Sequence, residues 1–327
     1  MASPEPPILQ PAAIDLHAHF LPPRYRESAL AHGPNPDGPP YPEWDPAAAV
    51  AMMDEVGIAA QALSLSSPGV AFLDDPAGRA RLVRAVNEDG AAAVAAYPAR
   101  FGLLASLPLP DVPAALAELA YACDQLGADG VGLHTHYGQV YLGDARLEPV
   151  MAALNDRAAL VTIHPRSPCG WEQVSFGRNR PMVEFLFDTT RAVVNLSLNG
   201  VLERYPAIRW VVPHAGAALP VMADRVARLA PLTSPPADGQ APPDVLSDLG
   251  RLFYDLAGVP LPRALRALLN LVPATQIVYG SDYPFTPAPM VAGLAEAIAG
   301  TDVLDPATLY GNAATLLPRL ARSTAAS

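Results

Sequence analysis

Eight short apolar runs, each closed by polar or turn residues, set the strongest limit on how this chain of 327 residues folds. They are Ala13–His17, Ala60–Ser66, Phe101–Leu107, Gly130–His134, Leu160–His164, Ile208–His214, Leu252–Leu256 and Gln276–Asp282. Unbroken apolar runs of this length suit strands of a parallel sheet covered on both faces. Helical patterns separate them. In the clearest, Asp45 is placed to cap, Pro46 takes the first helical position and Gly57 ends the helix. Asp111 with Pro113 opens another that stops at Gly127, and Asp305 with Pro306 opens the last. Strand and helix alternating eight times predict an α/β fold closed as a (β/α)8 TIM barrel rather than an open sheet. On this reading residues 13–320 form one catalytic domain, with flexible tails at 1–12 and 321–327.

Composition removes several classes of function. Hydrophobic residues make up 51% and charged residues 16%, enough apolar material for one large core and too little charge for a disordered chain. The net charge of -11 leaves no basic footprint for nucleic acid and no polybasic stripe for an anionic membrane. No apolar run is long enough to span a bilayer, and the opening MASPEPPILQPAA lacks the basic and apolar regions of a secretion signal. The two cysteines make no disulfide framework, so a cytoplasmic protein is expected. All 21 basic residues are arginine. Without lysine there is no Schiff base, no lysine-anchored pyridoxal phosphate and no carboxylated lysine to bridge two metals.

A barrel carries its chemistry at the C-terminal ends of its strands. The first run ends in His17-Ala18-His19, whose alternate side chains share one side of the pleat. The fifth ends in His164, the sixth in His214 and the eighth in Asp282. Four of the chain's seven histidines and one aspartate thus fall at strand ends. Imidazole and carboxylate donors suit Zn²⁺ or a similar first-row ion. His17, His19, His164 and Asp282 are the expected ligands of one divalent ion, with a position left for water or substrate. His214 is then the expected acid/base group, because imidazole titrates near neutral pH. His134 and His136 end the fourth run and are candidate wall residues. Arg166, just past His164, is the favoured clamp for a substrate carboxylate, ahead of Arg24, Arg178, Arg180 and Arg191. Phe20, Trp44, Phe285 and Tyr283 are candidates for a flat aromatic slot.

At these residues the sequence resembles the amidohydrolase-related, metal-dependent decarboxylases, the group like aminocarboxymuconate-semialdehyde decarboxylase. The pieces are DLHAHFLPP (15–23), RFGLLASLPLPD (100–111), ADGVGLHTHYG (128–138), VTIHPRSP (161–168), VVPHAGAALP (211–220) and YGSDYPFTPAP (279–289), in order along nearly the whole chain. Within the group, residues 44–69, 184–196 and 281–289 look most like the 6-methylsalicylate decarboxylase branch. The resemblance implies an amidohydrolase-like barrel and one divalent metal, Zn²⁺ first and Mn²⁺ second. It implies non-oxidative loss of CO2 from a small hydroxylated aromatic acid. It assigns His17, His19, His164 and Asp282 to the metal and His214 to catalysis, with dimers as the usual assembly; Asp282 is a second candidate proton donor on the chemistry of decarboxylation. Two departures stand out. The segment WDPAAAVAMMDE (44–55) has no arginine where the aminocarboxymuconate enzymes use one, and the HTHYG histidines are unusual for the salicylate branch. The rival readings are a metal-dependent hydrolase of a lactone or amide on the same barrel, and a ligand-binding barrel without turnover.

Overall fold

The structure is a computed structural model that describes residues 7–233 and 243–325. The strands are β1 (Ala13–His19), β2 (Ile58–Ser64), β3 (Phe101–Ala105), β4 (Gly130–His134), β5 (His136–Tyr137), β6 (Val140–Tyr141), β7 (Leu160–His164), β8 (Arg209–Val212), β9 (Phe253–Asp255) and β10 (Ile277–Val278). Eight of them form one sheet in the order β1-β2-β3-β4-β7-β8-β9-β10, parallel at every pairing, and β5 with β6 makes a separate antiparallel hairpin. Closure comes from Asp15 bridging Tyr279, with Leu16 N donating to Tyr279 O at 3.0 Å. The expected eight-stranded barrel is present. No described helix is long and apolar enough to cross a membrane.

Local signals explain the helices. Asp45 accepts from Ala48 N, Pro46 is the first helical residue, and Gly57 ends Pro46–Val56 at φ 88°. A side chain at Gly57 is barred twice: the backbone is left-handed, and a Cβ would lie 2.5 Å from Leu9 O. That close approach belongs to a segment expected to be loose. From residue 7 onward it is docked, with Leu9 buried and its N–H donating to Val56 O at 2.9 Å. Residues 1–6 of that expected tail lie outside the described residues. Nor is the helix opened by Asp305 the last. Pro318–Ala325 follows it, with Leu320 buried and Arg319 held to Asp129 at 2.7 Å. The expected tail therefore begins inside this helix, and residues 326–327 lie outside the described residues. Asp111 caps Val112–Asp124 as expected, although the helix stops before Gly127.

The proline-rich segment 32–45 joins the helices Pro23–Ala31 and Pro46–Val56 and is tied down. Asp37 is buried; its carboxylate accepts from Ser167 N at 3.0 Å, and Arg180 donates to Pro36 O. These bonds tie the loop to the one after β7, so both close over the same end of the barrel.

Candidate metal centre

His17 and His19 project from β1, His164 from the end of β7, and Asp282 from the turn after β10. Their donor atoms lie within 4.8 Å of one another, close to the roughly 4 Å that opposite ligands of one first-row ion span. The imidazoles are oriented from behind. His17 Nδ1 meets Asp255 Oδ2 at 2.8 Å, His19 Nδ1 meets Ser64 Oγ at 3.0 Å, and His164 Nδ1 meets Pro165 O at 2.8 Å. The Nε2 atoms of His17 and His19 are buried without a hydrogen-bond partner, and stand 3.5 and 3.0 Å from Asp282 Oδ1. Nδ1 held by an oxygen and Nε2 aimed at a shared point is how imidazole is presented to a metal. These residues fit a divalent ion.

Charge agrees with that geometry. Burial holds His19 and His164 below the ordinary imidazole value, so both are neutral donors. Burial alone would lift Asp282 and Asp255, but the facing histidines outweigh it; Asp282 lies well below the carboxylate range and Asp255 below it. His17 is desolvated too, yet Asp255 and then Asp282 hold it well above its ordinary value. The centre of the cluster therefore favours positive charge. A metal requires neutral imidazoles and ionised carboxylates; His19, His164 and Asp282 are already in that state, and His17 reaches it by releasing the proton its two carboxylates favour.

The backbone is bent to reach this arrangement. Asp282 and His214 both have left-handed φ, 59° and 58°, which is uncommon for residues with a Cβ. Asp282 is held there by its N–H to His17 O at 2.7 Å, and His214 by its N–H to Asp255 Oδ1 at 3.0 Å. Gly280 allows the close packing, because a Cβ there would lie 2.8 Å from the Cβ of His17.

His214 sits beside the cluster, its ring 5.1 Å from that of His17, with Nδ1 buried and unpartnered. Burial keeps it below the ordinary imidazole value. A cavity of about 530 Å³ opens over the cluster, bounded by His164, His214 and Asp282 and walled by Met182, Phe185 and Phe285. Phe285 meets the edge of His19 at 5.7 Å.

Four residues expected at the substrate do not line this cavity: Phe20, Trp44 and Tyr283 of the aromatic slot, the last two bordering a separate groove, and the clamp Arg166. Phe20 follows His19, so it points to the opposite side of the chain; it is buried against Trp44 and beside Gly90. Trp44 packs on Phe20 and Phe101 and borders a separate groove. Arg166 lines a neighbouring cavity, its Nε turned to Asp37 at 3.6 Å.

Sequence reasoning missed Asp255. It lies inside an apolar run, and its carboxylate joins three groups: His17 Nδ1, His214 N and Ala257 N. A lone acid within an otherwise apolar strand was the available signal. Asp15 was missed as well. It is fully buried, accepts from His17 N, Gln61 Nε2 and Ser281 N, and burial pushes it up to about 6.

Comparison with known proteins agrees with the fold and with the order of the motifs. The family profile described as "Amidohydrolase" matches residues 14–319. A 6-methylsalicylic acid decarboxylase of Aspergillus aculeatus is 34% identical over 322 residues, covering 95% of this chain and 98% of that protein. A crystal structure of an amidohydrolase II superposes with a TM-score of 0.88 at 37% identity, covering 94% of this chain and 100% of the other. A dihydroxybenzoic acid decarboxylase from Polaromonas sp. JS666, solved with manganese and 2-nitroresorcinol, gives 0.80 at 23%, covering 94% and 97%; at that identity it speaks for the fold alone. With the profile matched over almost its whole length, this chain belongs to the amidohydrolase family.

Proposed function

We propose that this protein is a metal-dependent, non-oxidative decarboxylase of a small ortho-hydroxylated aromatic acid of the 6-methylsalicylate kind. One observation carries the reading. Three histidines and an aspartate converge beneath a cavity with apolar and aromatic walls, in a chain with 34% identity to a 6-methylsalicylic acid decarboxylase along 95% of its length. His17, His19, His164 and Asp282 hold the ion. When bound, that ion supplies a Lewis acid and a template for two neighbouring oxygen atoms, the carboxylate and the ortho hydroxyl.

The chain's residues do the rest. Phe185 and Phe285 offer an uncharged ring an apolar wall and disfavour a second, unpaired charge. His214, kept neutral by burial, can take the phenolic proton as substrate binds and return it to the ring carbon that bears the carboxylate. That carbon–carbon bond then breaks, its electron pair remains with the ring, and CO2 leaves. Proton and charge balance without a redox partner. Asp282 is the second candidate for this proton transfer. Asp255 keeps His214 in place through its backbone.

Zn²⁺ is the ion we assign, on the imidazole-rich donor set; Mn²⁺ is second, as in the Polaromonas protein. We assign a cytoplasmic homodimer as the working form. The strongly exposed apolar Met182 and Val259 at the cavity support association, and free Cys123 and Cys169 fit a reducing compartment. Light scattering that finds only monomer at micromolar concentration ends the dimer assignment.

The test of the activity is CO2 release from 2-hydroxy-6-methylbenzoate and from 2-methylbenzoate. We expect turnover of the first and none of the second. Comparable rates on both acids would eliminate chelation through the hydroxyl. Ring opening of aryl lactones with no CO2 from either acid would make the protein a hydrolase.

A further inference from the structure

A second cavity of about 290 Å³ adjoins the metal centre. His134 lines it, and the ring of His134 lies 6.1 Å from that of His164. Two arginines border it, Arg166 and Arg79, and no aspartate or glutamate is among its described lining residues. Arg166 is 9% exposed, and its Nε has no hydrogen-bond partner. The one carboxylate near it, Asp37, stands off at 3.6 Å and gives its other oxygen to Ser167 N. Arg79, on the helix Pro76–Ala96, also has a buried Nε without a partner. Two guanidinium groups line one cavity with a single carboxylate between them, paired to Arg166 at 3.6 Å, so an anion placed there would balance the second charge.

The rest of the wall identifies the kind of anion. Leu65, Val70 and Leu107 give the same cavity an apolar part. A water takes up about 30 Å³ of liquid, so the space exceeds what a bare oxyanion needs. We propose that this cavity is a second binding site, for a small monocarboxylate with an apolar body. The carboxylate lies between Arg166 and Arg79, and the body lies against Leu65, Val70 and Leu107. The inference stands on this cavity and does not require the metal centre to catalyse decarboxylation. If it does, a phenol product carries no carboxylate, and the site holds substrate while releasing product.

Calorimetric titration of the metal-loaded protein with sodium benzoate tests the site, because benzoate lacks the ortho hydroxyl assigned to the ion. Wild type should bind one benzoate per chain, and Asp282→Asn should bind it equally well. Arg79→Gln, a change at a half-buried helix position, should weaken binding at least tenfold. Arg166→Gln should do the same, and benzyl alcohol should not bind. Absence of binding to wild type, or unchanged affinity in Arg79→Gln, overturns the proposal. Loss of binding in Asp282→Asn with retention in Arg79→Gln also overturns it, by placing benzoate over the metal cluster. Inorganic phosphate binding more tightly than benzoate overturns the assignment to a monocarboxylate. Decarboxylation of 2-hydroxy-6-methylbenzoate at low concentration by Arg79→Gln tests the activity separately.

Discussion

His17 and His19 close β1; His134 closes β4, and His136 follows it at the same spacing. The first pair converges with His164 and Asp282; the second does not. Chain path is one cause. β1 stays extended through His19, so its alternate residues share a side, whereas β4 ends at His134. Thr135 then turns the chain, its hydroxyl donating to buried Asp188, and His136 begins the β5–β6 hairpin. Hydrogen-bond partners are the other cause. In the first pair oxygen atoms take Nδ1 and leave Nε2 unpartnered. In His136 both ring nitrogens already face carbonyls, Gly138 O at 2.9 Å and Ser167 O at 3.0 Å. His134 is packed on Gly69, and burial, then Arg166, push it down to about 3. Spacing offers two rings; the groups behind them decide which nitrogen is left for an ion.

That contrast breaks most easily at the donor groups. His19→Ala or Asp282→Ala should reduce bound metal and turnover to background, while His136→Ala keeps one ion per chain by elemental analysis. Equal metal loss in His136→Ala would erase the distinction. His214→Ala should keep its ion and lose about 10²-fold or more in kcat, the usual scale for a positioned proton-transfer group. If it loses the ion instead, His214 is a ligand. Asp255→Asn tests the support from behind. Metal affinity measured against a competing chelator should fall by about 10- to 100-fold, and a wild-type affinity would make the Asp255 contact incidental.

Smaller effects sharpen the second pair. His136→Ala removes the ring that faces the Gly138 and Ser167 carbonyls and should lower unfolding free energy by about 1–3 kcal/mol in urea. His134 gives a pH test. Its folded-state value lies below the ordinary 6.5, so the unfolded chain binds the proton first. The stability of the neutral ring is complete above about 6.5 and is lost as pH falls toward about 3. Measured on metal-free protein, the loss between pH 6.5 and 4.5 should be shallower in His134→Phe than in wild type. Parallel curves would show that His134 titrates as if exposed.

The barrel was legible because its strands are buried on both faces and read as apolar runs. β4 and β7 have the expected limits, while the run from Gln276 to Asp282 holds only a two-residue strand, Ile277–Val278. Its remainder is the turn that carries Asp282 at φ 59°. That the four donor groups converge was legible for a related reason: each lies at or just beyond a strand end, and the barrel's geometry does the gathering. The walls were not legible. Whether Phe20 or Phe285 faces the cavity depends on which side of the chain each takes, and Arg166 was judged by its distance from His164 along the sequence alone. The docking of Leu9 was hidden because its partners, Val56 and Gly57, lie far along the chain.

The seam between β1 and β10 also orders events in time. Ser281 N reaches Asp15 Oδ1 across 266 positions of sequence, and Asp282 arrives beside His17 at the same join. Contacts this distant carry a large loop-closure entropy and form slowly compared with local ones. During synthesis, a chain that ends before Ile277 holds the three histidines but lacks both the closing strand and the carboxylate. On the proposed ligand set, capture of an ion by all four groups would mark completion of the ring, and its binding energy would favour the closed chain over every partly built one.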